Sequence, residues 1–166
     1  MTTLHLFCGK IASGKSTLAS NIARDNNAVL ISEDYWLSRL YVGEIRNVSD
    51  YVKRSAQLQS AMGLHVQQLL QAGVSVALDF PANTIPNRMW MRHIFERAGV
   101  YHQLHYLDVP DQICKSRLCQ RNAEGMHEFA VSDADFELMT RHFVAPKVEE
   151  RFNLVKHGAV HLADSW

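Results

Sequence analysis

The sequence predicts a three-layer α/β fold, a parallel sheet of about five strands with helices on both faces. Three observations predict it. Short apolar runs, such as a strand covered on both faces requires, alternate with longer segments of helical period. A glycine-rich turn joins the first run directly to a helix. The chain has 166 residues, which suits one compact domain spanning 1–166 with a single core and no internal repeat or low-complexity linker.

Residues 3–8 are mostly apolar and stop at Gly9, which makes them the first strand. Leu18, Ile22 and Ala23 then recur at helical spacing over residues 15–26. Residues 28–32 and 74–80 are further apolar runs and read as interior strands, the second halted by Pro81, which has no N–H for a strand ladder. Between them Ser49 can cap a helix over residues 50–71, with Leu58, Met62, Val66, Leu69 and Leu70 on one face and Gly73 past its end. Thr84 can cap the next helix, which Gly99 ends. Residues 102–109 form a fourth strand broken by Pro110, and residues 111–122 return to helix. The polar, aperiodic run from Glu124 to Glu128 suggests a mobile lid around 122–131, after which Ser132 and Asp133 start a helix reaching Phe143. Residues 160–162 read as a short last strand.

Lysine plus arginine total 17 and aspartate plus glutamate total 17, so no bulk field draws the chain to nucleic acid or an anionic membrane. Cys8, Cys114 and Cys119 lack metal-site and disulfide spacing and fit a reducing compartment. With no membrane-length apolar run and no basic segment leading into a signal core, a cytoplasmic location is expected.

One segment carries chemistry outright. Gly9-Lys10-Ile11-Ala12-Ser13-Gly14-Lys15-Ser16, followed by Thr17, fits the phosphate loop G-x-x-x-x-G-K-[ST] between a strand and a helix, the context that loop needs. The glycines let backbone amides wrap phosphate oxygens, Lys15 reaches the outer phosphates, and the Ser16 hydroxyl can ligate magnesium. The following helix points its positive end at the same anions. The N-K-x-D run of guanine-specific GTPases is absent, as is a transporter-type LSGGQ run. The second strand ends in Ser32-Glu33-Asp34, where a sheet of this kind sets carboxylates beside the outer phosphate and where a base for an acceptor hydroxyl belongs.

Together the phosphate loop, Ile31-Ser32-Glu33-Asp34-Tyr35-Trp36, Leu78-Asp79-Phe80-Pro81-Ala82-Asn83 and Arg117-Leu118-Cys119-Gln120-Arg121 resemble the P-loop kinases of the polynucleotide-kinase, zeta-toxin and chloramphenicol-phosphotransferase group. The similarity runs from the first strand to about Glu150. It implies a P-loop NTPase fold with a short lid, ATP and Mg2+ as cofactors, and transfer of the terminal phosphoryl group to a hydroxyl. The resemblance places the acceptor-activating carboxylate at Asp34, a phosphate-and-metal role at Asp79 and phosphate contacts at Arg117 and Arg121. The expected acceptor is a small molecule or nucleotide-like compound. Kinase action on polynucleotide 5′-hydroxyls is disfavoured by the neutral charge, and a passive ATP-binding switch by Asp34 and the arginine pair.

Each of these residues also has a plainer role open to it. Asp34 could serve as a helix cap, with Glu33 the rival base, and Arg117 with Arg121 could form a solvated helix face. Asp79 is the one charge in its strand, and burying it requires a partner. Asn83 and Arg88 are second-tier candidates at the sheet edge, Arg88 equally able to face water. Met89, Trp90, Met91 and Phe95 read as packing, and the nine histidines as without metal chemistry, His102 and His105 lying on opposite strand faces.

Overall fold

The structure is a computed structural model that describes residues 1–125 and 129–158. Its strands are β1 (Thr3–Cys8), β2 (Val29–Ser32), β3 (Val76–Pro81), β4 (Tyr101–Leu107) and β5 (Leu154–His157). All pairings are parallel, in the order β2-β3-β1-β4-β5. The helices are α1 (Lys15–Asp25), α2 (Glu33–Leu40), α3 (Val48–Gln71), α4 (Ile85–Ala98), α5 (Asp111–Glu124) and α6 (Asp133–Arg141), with a 3-10 turn at Val148–Glu150.

Alternation along β1 divides the layers. Leu4, Leu6 and Cys8 join Leu58, Val66 and Leu70 of α3 and Met91, Ile94 and Phe95 of α4 in one core. Phe7 faces the opposite way, onto Ala19 and Ala23 of α1 and Ala77 of β3, small side chains that let α1 lie close to the sheet. A third cluster ties α5 and α6 to the sheet end through Leu107, Cys114, Leu118 and Phe136. The chain leaves central β1, crosses to edge strand β2 and returns through β3 beside β1, so the strand order reverses at β1 and opens a crevice at the strands' C-terminal ends.

Several boundaries differ from the sequence expectation, each for a physical reason. β2 is an edge strand, not an interior one, and leaves Val29 and Leu30 exposed, because a short apolar run looks the same with one neighbour or two. Asn47, not Ser49, caps α3 by accepting from the Asp50 N–H at 2.9 Å. Pro81 lies within β3, where the register shifts: Leu6 pairs with Leu78 but Phe7 with Pro81, so Asp79 and Phe80 are the extra residues opposite β1. Such a bulge re-aims side chains, and it sits at the head of the crevice. The fifth strand is Leu154–His157, and residues 160–162 lie outside the described residues. Of the proposed lid, Asn122 lies in α5 as its helix expectation had it, Ala123 and Glu124 extend that helix, and residues 126–128 lie outside the described set. Thr84, Ser132 and Gly99 act as expected: the two hydroxyls accept from Asn87 and Asp135 N–H groups, and Gly99 ends α4 at φ 68°. Met89 is exposed, whereas Met91 and Phe95 are buried and Trp90 packs against the core. Among the described residues no helix is long and apolar enough to cross a membrane.

Candidate active site

The phosphate loop leaves β1 at Gly9 and enters α1 at Lys15. Gly9 is required by close approach, since a Cβ there would meet Ser13 Oγ at 2.5 Å and Leu107 at 3.2 Å. Gly14 turns the chain at φ 102°, and Ala12 holds φ 60°, a left-handed position that a residue with a Cβ adopts under strain. The Lys15 ammonium donates to the carbonyls of Gly9 at 2.6 Å and Lys10 at 2.9 Å. Burial pulls its pKa down, and the charge of Asp79, with smaller help from Asp34, works against that. Lys10 is ion-paired with Asp111 at the start of α5. Its side chain therefore anchors the loop.

The loop floors an open cavity of about 1120 Å³ that Lys15, Ser16, Thr17, Asp34, Asp79 and Arg121 all line. β2 and β3 bring the two aspartates there, because Ser32 pairs with Asp79 and Asp34 follows in the first turn of α2. The Ser32 hydroxyl caps α2 by accepting from the Tyr35 N–H at 3.3 Å, so the cap is supplied without Asp34. Glu33 turns inward and is 2 % exposed. It accepts hydrogen bonds from Tyr51 Oη at 2.6 Å and from Ser55, both on α3. Burial outweighs those donors and raises its carboxyl to about 7. With both oxygens engaged by α3, Glu33 serves as a brace between helices, which weakens its rivalry with Asp34.

From α5, Arg117 donates to the Ser13 carbonyl at 3.3 Å and so touches the loop. Arg121, one turn on, is half-buried, and its Nε has no hydrogen-bond partner among the described residues. Burial lowers its pKa, and the Asp34 carboxylate offsets this. An orphaned guanidinium N–H in a cavity beside a phosphate loop is a donor set for an anion. Neither arginine is the plain solvated face that their spacing alone allowed.

Asn83 and Arg88 matter more than their second rank suggested. The Asn83 side chain clamps Gly9 from both sides, accepting from its N–H at 2.9 Å and donating to its carbonyl at 2.8 Å. Arg88 does not face water. It is 1 % exposed, forks onto both oxygens of Glu150 at 2.6 and 2.9 Å, and donates to the carbonyls of Ala82 and Val144. It is a staple for the C-terminal segment. Tyr51 and Ser55 escaped the sequence reading, although two polar residues at i, i+4 on the apolar face of α3 mark a buried polar partner.

Ser16 and Asp79 offer a hydroxyl and a carboxylate at the cavity, and among the described residues no cluster of three or more side chains could hold a metal unaided. That donor set fits Mg2+, which binds through one or two protein oxygens and completes its shell with phosphate and water. Two other reactive groups are uncharged. Burial raises the Cys8 thiol to about 12 and lowers His105, hydrogen-bonded to His5 and His157, to about 3, so both stay neutral.

Solved structures share this fold. A candidate kinase of Chloroflexus aurantiacus superposes with a TM-score of 0.76 at 21% identity, covering 95% of this chain and 85% of that one. The Kti12 protein of Chaetomium thermophilum, solved with ADP-AlF3, gives 0.71 at 17% identity over 93% and 88%. The APS kinase CysC of Mycobacterium tuberculosis, solved with AMPPNP and APS, gives 0.64 at 18% identity over 95% and 88%. Comparison with curated proteins gave no match. The fold is thus the α/β P-loop NTPase fold that these structures share. A family model described as AAA domain, AAA_33, matches residues 4–146, and the chain, carrying that family's pattern over most of its length, belongs to the AAA domain family.

Proposed function

We propose that this protein is an ATP-dependent phosphotransferase that moves the γ-phosphate to a hydroxyl of a small-molecule or nucleotide-like acceptor. The observation that carries this reading is the placement of Asp34 in the same cavity as Lys15 and Arg121, in a helix already capped by Ser32. A carboxylate there opposes a bound phosphate, and a base for an acceptor hydroxyl is a role that accounts for its position. The structural neighbours include kinases solved with a nucleotide analogue and an acceptor in one case, which supports the class of reaction without naming the acceptor. The open cavity, at about 1120 Å³, lies at the upper end of the roughly 300–1,000 Å³ range of ligand pockets.

In this mechanism the amides of Gly9 to Ser16 and the Lys15 ammonium bind the ATP phosphates, and Arg117 and Arg121 meet charge that develops as the phosphoryl group transfers. Asp34 orients the acceptor hydroxyl and takes its proton. Ser16 and Asp79 would hold Mg2+, which when bound neutralises phosphate charge. Ile45, Val48 and Tyr51 from α3 and its approach line the cavity, as do Phe129 and Met139. Labelled ATP with a panel of neutral alcohols, sugars, nucleosides and 5′-hydroxyl oligonucleotides tests the proposal. Phosphate should appear on a small acceptor. Transfer to oligonucleotides alone would replace the acceptor class, and binding with no transfer to any acceptor would reduce the protein to a nucleotide switch.

A further inference from the structure

Asp34 stands in the first turn of α2, an eight-residue helix whose buried residues are Glu33 and Leu37, one turn apart on its inward face. Ahead of that helix lies β2, an edge strand paired on one side only. Leu37 sits in the core with Trp36 packed against it, but apolar contact is non-directional and lets a short helix turn or slide. Glu33 supplies the direction. Its two oxygens accept from two donors on α3, Tyr51 Oη at 2.6 Å and the Ser55 hydroxyl. Those donors are four residues apart on a 24-residue helix that is itself fixed in the core by Leu58, Val66 and Leu70. An apolar side chain in place of Glu33 would avoid the penalty that burial puts on a carboxyl, and it would lose this orientation.

We infer that Ser55 and Tyr51 are positioning residues that act through Glu33 to aim Asp34 at the acceptor hydroxyl. One peptide bond links Glu33 to Asp34, so fixing the first carboxylate fixes the backbone that carries the second. Tyr51 lines the cavity, whereas Ser55, 7 % exposed, is not among the described residues that do. An effect of Ser55 on transfer therefore has to travel through Glu33. The inference rests on the kinase reading with Asp34 as its base.

Ser55→Ala tests it, assayed with labelled ATP and an acceptor from the panel that the wild-type chain phosphorylates, beside titration calorimetry with Mg-ATP. A misplaced base loses rate steeply, so kcat should fall on the order of ten-fold while Kd for Mg-ATP stays within about two-fold. Tyr51→Phe removes the other donor, keeps the ring that lines the cavity, and should show the same split. In the Asp34→Asn background no base is left to aim, and there Ser55→Ala should change the residual rate by less than about two-fold. A brace that only stabilises the fold would slow transfer equally in both backgrounds, or weaken Mg-ATP binding as much as transfer. Either result overturns the inference, as do wild-type rates in Ser55→Ala and Tyr51→Phe, and all three leave the kinase reading standing. The single variants decide whether or not the residual rate is measurable. Undiminished transfer by Asp34→Asn, or no transfer by the wild-type chain to any acceptor, overturns both.

Discussion

Replacing Asp34 with Asn keeps the side chain's size and capping ability and removes only its charge and basicity. The structural loss is small. Ser32 already caps α2, so Asp34 contributes to the helix chiefly through its charge in the first turn, about 0.3–1 kcal/mol. For a chain of this size that lowers the melting temperature by roughly 4 °C at most. ATP should bind at least as well as before. The Asp34 charge acts on Lys15 and Arg121, the same cations that would meet phosphate, and its removal lessens repulsion of the nucleotide. Transfer should nevertheless fall by about 10²–10⁴-fold, since an amide cannot take the hydroxyl proton. Initial rates with labelled ATP and a working acceptor, alongside a thermal scan and an ATP titration of the same preparation, separate these effects. Wild-type-like transfer by Asp34→Asn would remove Asp34 from the mechanism.

Three other outcomes follow from the geometry. Arg121→Ala should slow transfer more than it weakens ATP binding, because a guanidinium aimed at developing charge acts mainly in the transition state; equal losses in both would assign it to ground-state binding. Arg88→Ala leaves Glu150 without its buried partner, a change that typically costs about 3–5 kcal/mol. Glu150 is partly exposed and can rehydrate, so the lower end applies and a melting-temperature drop of roughly 6–12 °C is expected, with an unchanged melting point contradicting the staple. Glu33, raised by burial to about 7 from an ordinary 4.5, keeps in the native state a proton that the unfolded chain releases. Its contribution is full below pH 4.5 and is lost as pH rises through 7, so Glu33→Gln should flatten the fall in melting temperature between pH 5 and pH 8, and parallel pH profiles would refute the assignment.

The sequence read well where a local pattern determined the outcome. The phosphate loop, the α4 cap at Thr84 and stop at Gly99, and the strand ends carrying Asp34 and Asp79 were all legible, because turn chemistry and short apolar runs are written in neighbouring residues. What depended on distant partners was not. The edge position of β2, the Glu33 brace to Tyr51 and Ser55, the Asn83 clamp on Gly9 and the Arg88 staple to Glu150 join residues 18 to 74 positions apart. Arg88 had the same local signature as a surface arginine. The bulge at Asp79 left no trace either, since a register shift needs the partner strand to be defined. β5 escaped because Leu154–His157 mixes apolar and polar residues like any exposed turn.

The central claim is that Gly9 to Ser16 form a working phosphate site whose ammonium is Lys15. Calorimetric titration of the wild-type chain and Lys15→Ala with ATP, in the presence and absence of magnesium, tests it most directly. Saturable one-to-one binding that magnesium strengthens and Lys15→Ala weakens by more than ten-fold is predicted, since an ammonium held over the loop at the Gly9 carbonyl would meet the phosphates in ground and transition state alike. No binding of ATP by the wild-type chain with magnesium present, or equal binding by Lys15→Ala, would contradict it.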